Sequence, residues 1–303
     1  MGQRVLLVDA FATEPLTGEP FVISPDATLS ETQLERVGSE FGAVGTISYR
    51  DETLHYTGSD LPVGAAVAGY VGLSEHGSVS EETLPFNAAD FPGVEQLSME
   101  DDGLVTVKLV TQQVDQPTLS ESEVATALGI SVDSLKDVGA DLPLGRTAAH
   151  GGTLFVPVNF LEHLSRASPT PETLRELCDD IGVSRVMALS FDTLNPESAV
   201  HARIFRTDAV EGTNRSNREM ERAADGIASG GCGAYLCSHT VFDGEYDQIQ
   251  IESGHFIDRP STLSTTLDTH PTVIGRGLTV LEGTAVIPED EDDDIIEANG
   301  SSH

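Results

Sequence analysis

The chain has 303 residues, about twice the usual length of one domain, so two domains or one large one are expected, with ample length for a hydrophobic core. It carries 50 acidic side chains against 16 basic ones, a net charge of -34, and its only lysines are Lys108 and Lys136. That balance excludes the basic footprint of a nucleic-acid binder and would be repelled by an anionic membrane, and no apolar run is long enough for a membrane-spanning helix.

Along the chain, Val5 to Ala10 and Phe21 to Ile23 read as short strands flanking a turn at Thr17 to Pro20. Ser30 caps a helix to about Phe41, with Gln33 completing a capping box. Thr46 to Arg50 and Thr53 to Thr57 form a hairpin around Asp51-Glu52. Pro62 to Leu73 is apolar all round and rich in small residues, the pattern of a buried helix. Leu104 to Thr111 alternates as a strand.

The second half repeats this plan: a short helix at Val124 to Leu128 before Gly129, a strand at Thr153 to Val158, a helix from Thr170 or Thr173 to about Ile181, and strands at Val186 to Phe191 and Ala202 to Phe205. A second small-residue helix follows from Ala223 or Asp225 to Leu236. Ala66 to Val71 and Gly231 to Leu236 share one pattern of small residues, tyrosine and aliphatic, a weak internal repeat. Strands are expected at Ile249 to Ile251, around Ser261 to Leu263, and at Thr272 to Ile274, Leu278 to Leu281 and Thr284 to Ile287.

The expected architecture is therefore α+β: two similar domains, residues 1–116 and 117–288, each a curved, barrel-like mixed sheet wrapped round one buried helix. The last strands return to the first domain in one version of this plan, and residues 289–303 form an acidic tail.

Three cysteines, Cys178, Cys232 and Cys237, lie in the second half and read as buried small hydrophobes, without the partners a disulfide framework or zinc site needs. The N-terminus lacks a signal peptide, so the cytoplasm is the expected compartment. Acids spread over both halves suit a cytosol at molar salt, where the Debye length falls to about 3 Å and self-repulsion is screened. The host is read as a halophile, and an archaeal one.

Val8-Asp9-Ala10-Phe11, followed by Gly18-Glu19-Pro20-Phe21-Val22-Ile23, resembles the V-D-A-F and G-N-P opening of the PhzF-like isomerases of phenazine biosynthesis, which share the diaminopimelate epimerase fold. Glu252 to Ser261 is similar to that family's E-Q-G-x-x-x-x-R-P-S segment, and Gly275 to Gly283 to its closing strands. The resemblance covers nearly the whole chain in order. It implies an active site between the domains, at the N-termini of the two buried helices, where free N–H groups suit a substrate carboxylate. It further implies that a glutamate in S-E-T shuttles a proton, supported by a histidine in C-G-H-A-T and an aspartate in E-D-P-x-T-G-S.

Those chemical positions differ here. The glutamate falls on Gly45, and the histidine on Ala65, or on Ala66 with a one-residue gap. The aspartate falls on Arg222 and the serine on Ile227, while a shifted alignment would pair Asp225 with the aspartate. The G-N-P asparagine is Glu19. Asp225 is a candidate substitute acid/base, although a carboxylate there is also simply a good helix cap. His55 and Asp60 precede the first buried helix, His55 more as a structural side chain. Arg206, Arg215, Arg218 and Arg222 form a cluster that suits a carboxylate ligand and equally suits the chain's own acids.

Substrate contacts are expected from Gly18, Glu19, Thr46, Gly64, Asp225 and Gly226. The epimerases of this fold that use one thiol from each half are excluded, because the first half has no cysteine. The expectation is an isomerase-type protein that acts on, or binds, a small carboxylate, or a non-catalytic relative kept for ligand binding or assembly. A second copy of the chain is a candidate partner; no cofactor, metal, nucleic acid or membrane is expected.

Overall fold

A computed structural model describes residues 2–25, 29–58, 61–79, 83–100, 102–138, 142–207 and 220–288. Its strands form two sheets. The first runs in the order Gly277–Val286, Gly2–Ala10, Glu19–Ser24, Thr46–Arg50, Thr53–Thr57. The second runs Val94–Met99, Val105–Leu109, Thr272–Gly275, Ser261–Thr266, Gln248–Ser253, Val200–Arg206, Arg185–Ser190, Thr153–Pro157, Gly145–Thr147, Val114–Asp115. A short strand, Glu221–Arg222, pairs off this path with Val200–Arg206. Among the described residues neither strand order closes on itself, so neither sheet is a closed barrel.

Each sheet wraps one apolar helix, Pro62–His76 or Gly226–Ser238. All residues from Pro62 to Leu73 and from Gly226 to Leu236 are buried, as all-round apolar helices must be. Small residues decide how near the strands come. A Cβ at Gly233 would lie 2.4 Å from the Thr266 carbonyl oxygen, so only glycine allows that approach. Tyr235 stacks on Phe155 with ring centroids 5.0 Å apart, and its hydroxyl donates to the Pro143 carbonyl.

The repeat expected from the helices extends to the strand pairing. In the first half, Gly2–Ala10 pairs antiparallel with Glu19–Ser24, which runs parallel to Thr46–Arg50 across the helix Glu31–Glu40. Thr46–Arg50 then pairs antiparallel with Thr53–Thr57, and the buried helix follows. In the second half the same sequence of pairings joins Gly145–Thr147, Thr153–Pro157, Arg185–Ser190 and Val200–Arg206, with helix Pro171–Ile181 at the parallel crossover.

The capping boxes at Ser30 and Thr170 form, and Gly129 ends the helix Glu121–Leu128 in a left-handed conformation. Two expectations change. Leu278 to Leu281 and Thr284 to Ile287 are one strand, Gly277–Val286, whose break in pattern is a bulge opposite Leu7 and Val8. Val94–Met99 is an additional strand, with a register shift at Val94/Gln96 that breaks its alternation. The acidic run Glu289 to Asp294 and the loop Gly212 to Asn217 lie outside the described residues.

Candidate functional site

A cavity of about 580 Å³ lies where the first sheet meets the Glu221–Arg222 strand and the turn ending at Arg259. Its size suits a small molecule. Glu19, Glu35, Gly45, Thr46, Arg222 and Arg259 contribute to the wall.

Gly18 takes a left-handed turn, with φ 70°, and an added Cβ would lie 2.3 Å from the Ala10 carbonyl oxygen. That turn delivers Glu19 to the start of its strand, where it is 5% exposed. Glu19 Oε1 accepts from the backbone N–H groups of Ala223 (2.5 Å) and Ala224 (3.3 Å), just ahead of the second buried helix. Burial pushes the Glu19 carboxyl above the ordinary glutamate range; the Arg222 charge and the two N–H groups offset this only in part.

Gly45 lies beside that strand, its carbonyl accepting from Val22 N–H at 3.1 Å. A Cβ on Gly45 would meet Tyr56 Cε2 at 2.6 Å and the Thr57 carbonyl oxygen at 2.7 Å. The position that the family resemblance gives to a proton-shuttling glutamate therefore has no room for a side chain. Thr46 is buried beside it and donates through Oγ1 to the Leu34 carbonyl at 2.8 Å. Arg259 is anchored: Nε donates to the Gly18 carbonyl at 2.6 Å, and Nη2 to Asp9 Oδ1 at 3.0 Å.

The other sequence candidates lie off this wall. The N-terminal ends of the two buried helices abut, and a Cβ on Gly226 would fall 2.4 Å from Val63 Cγ1. Gly64 packs under Phe21, with 3.0 Å from its ideal Cβ to that ring. Ala65 and Ala66 are core residues, as is Ile227. The space between the helix ends is thus packed, and the polar cavity runs alongside it.

Asp225 caps the second helix: Oδ1 accepts from Ile227 N–H at 2.9 Å and Ala228 N–H at 3.1 Å. Oδ2 lies 2.9 Å from Arg185 Nε and 2.9 Å from Arg206 Nη1, all three side chains fully buried. Burial would raise the Asp225 carboxyl, but the guanidiniums of Arg185 and Arg206, with the Ala228 N–H, outweigh it and hold it below the ordinary range. A carboxylate held ionised by two arginines is a structural anchor.

The arginine cluster separates: Arg206 binds Asp225, Arg222 faces the cavity, and Arg215 and Arg218 lie outside the described residues. His55 lies 3.1 Å from Asp90; Asp60 is outside the described residues. Cys178 and Cys232 are buried, whereas Cys237, near the end of its helix, is exposed, contrary to expectation. Arg185 and the bidentate pair Arg203–Glu221 were not legible as site-forming groups: Arg185 opens an apolar strand, Arg203 lies in the middle of Val200–Arg206, and Glu221 stands in a two-residue strand. Arg259 had a signal in the quoted R-P-S segment. Among the described residues there is no group of three or more His, Cys, Asp or Glu that could hold a metal ion, and no helix long and apolar enough to cross a membrane.

The fold is that of the PhzF structures of phenazine biosynthesis. A PhzF-family protein of Bacillus anthracis superposes with a TM-score of 0.77 at 22% identity, over 95% of this chain and 100% of that one. A predicted epimerase of Pseudomonas aeruginosa gives 0.72 at 17% identity, over 94% and 99%. In sequence, the uncharacterized isomerase YfhB of Bacillus subtilis is 28% identical over 269 residues, covering 84% of this chain and 87% of the relative. No family model matches the chain.

Proposed function

We propose that the protein is a PhzF-like isomerase that binds a small carboxylate metabolite in the cavity and acts on it without the family's usual glutamate and histidine. The observation that carries this reading is the wall itself: Arg222, a cation suited to a carboxylate, faces a cavity that also presents the buried acid Glu19 beside Gly45. The similarity to a protein named as an isomerase supports the reaction class. The cytoplasm of a halophile is the setting that suits the charge.

No isomerisation of the dihydro-hydroxyanthranilate that the family's namesake uses is expected, because Gly45 has neither a proton to give nor space to acquire a glutamate. Losing such a group removes on the order of 10²–10⁴-fold of rate. A second reading, ligand binding without catalysis, is favoured by the packed helix ends, where Val63 meets Gly226.

The test is thermal denaturation in molar salt with a panel of small carboxylates, joined to NMR of solvent deuterium entering dihydro-hydroxyanthranilate. A melting temperature raised by a carboxylate, with no enzyme-dependent deuterium in that substrate, is expected. Deuterium incorporation would show that the namesake's reaction survives. No stabilisation by any carboxylate would leave an assembly role.

A further inference from the structure

We propose that Glu19 is the proton-carrying residue of the cavity: it takes up one proton when a carboxylate ligand enters, and holds it on the oxygen that faces the ligand. This rests on the carboxylate-binding reading above.

Three acids stand on the wall, and their settings differ. Glu35 is exposed on the helix Glu31–Glu40. Glu221 is committed to Arg203, which donates from Nε at 2.9 Å and Nη2 at 2.6 Å. Glu19 is buried, and Oε1 alone takes its hydrogen bonds, from Ala223 and Ala224; no hydrogen bond to Oε2 is made among the described residues. One oxygen is thereby fixed in place, and the other is left to carry a proton.

Burial favours the protonated form of Glu19, and the two nearby guanidiniums oppose it only in part. Arg222 acts on Glu19 from the strand Glu221–Arg222, and Arg259 acts from the opposite turn while bonded to Asp9. A ligand carboxylate drawn to Arg222 would add a second negative charge close to the Glu19 carboxylate in the same cavity. Two carboxylates sharing a site do not both stay ionised, so one proton enters with the ligand. Desolvation already moves Glu19 in that direction. The proton binds the lone pair of Oε2 and comes from solvent, and no other bond changes. In turnover, that acid gives its proton to one end of a ligand C=C–C–H unit: the π pair forms the new C–H bond, the double bond shifts by one carbon, and the proton lost from the far carbon returns to the re-formed Glu19 carboxylate.

A glutamine would serve the structural contact as well, since its amide oxygen accepts the same two N–H bonds without a buried charge. Glu19→Gln is therefore the discriminating variant, and it should melt no lower than wild type at neutral pH. The first measurement is a pH titration in molar salt of protein carrying ¹³C at the glutamate side-chain carboxyls. A resonance missing from Glu19→Gln should titrate at higher pH than the other glutamates. Titration with the bulk, or persistent ionisation, overturns the proposal.

The second measurement is calorimetry of benzoate binding in two buffers of different ionisation heat. Wild type should absorb up to one proton, with affinity falling up to about tenfold per pH unit above the Glu19 midpoint, and Glu19→Gln should bind with neither effect. Benzoate binding by wild type without proton uptake overturns the proposal. Absence of benzoate binding counts against the carboxylate-site reading, and the ligand-free titration then decides Glu19 alone.

Discussion

Asp225 caps a helix with one oxygen and neutralises two buried arginines with the other. Because its pKa is held below the unfolded value, its contribution is present above about pH 4 and is lost as pH falls through the folded pKa. Asp225→Asn leaves Arg185 and Arg206 facing an uncharged amide. We expect a loss of about 3–5 kcal/mol at neutral pH, read from denaturant melts in molar salt. A loss under 1 kcal/mol would show that the arginines find other partners. This cost means that a missing activity in an Asp225 variant reports unfolding before it reports chemistry. The sequence placed Asp225 as a cap but gave no sign of Arg185, which stands forty residues earlier at the mouth of an apolar strand. Gly45 was legible as a missing glutamate; that Tyr56 fills its space was not, because the hairpin folds Tyr56 back over it.

Among the secondary-structure elements, the two buried helices were legible because small apolar residues leave a mark no surface helix shares. Val94–Met99 was not, since its bulge breaks the two-residue period. How the helices meet was also hidden: Val63 against Gly226 is a contact between residues distant in sequence. Gly226→Ala sets a propensity gain of at most about 1 kcal/mol against an overpacking cost of about 1–3 kcal/mol. The cost should win, and the variant should unfold at lower denaturant. In a Val63→Ala background the penalty should shrink but persist, because the Val63 methyl groups are gone while its Cβ stays 2.5 Å from the added group. An equal penalty in both backgrounds would mean that the helix ends do not press on each other.

For the whole molecule, charge decides the conditions of folding. Fifty acids against sixteen basic residues repel one another strongly in dilute buffer and weakly at molar salt. The melting temperature should rise steadily from dilute buffer to molar potassium chloride, measured by circular dichroism; an unchanged value would remove the salt-adapted reading. A second molecular property follows from the last strand. Gly277–Val286 completes the edge of the first sheet against Gly2–Ala10, pairing Val286 with Gly2. The strand Gly2–Ala10 therefore waits for the much later Gly277–Val286 before its outer edge is covered. Such distant pairing slows folding and leaves an open strand edge during synthesis. The cavity walls come from both ends of the same interval, residues 19–58 and 221–259. A nascent chain consequently has no complete pocket to offer until Arg259 has been made, and a ligand can stabilise only chains that have passed that point.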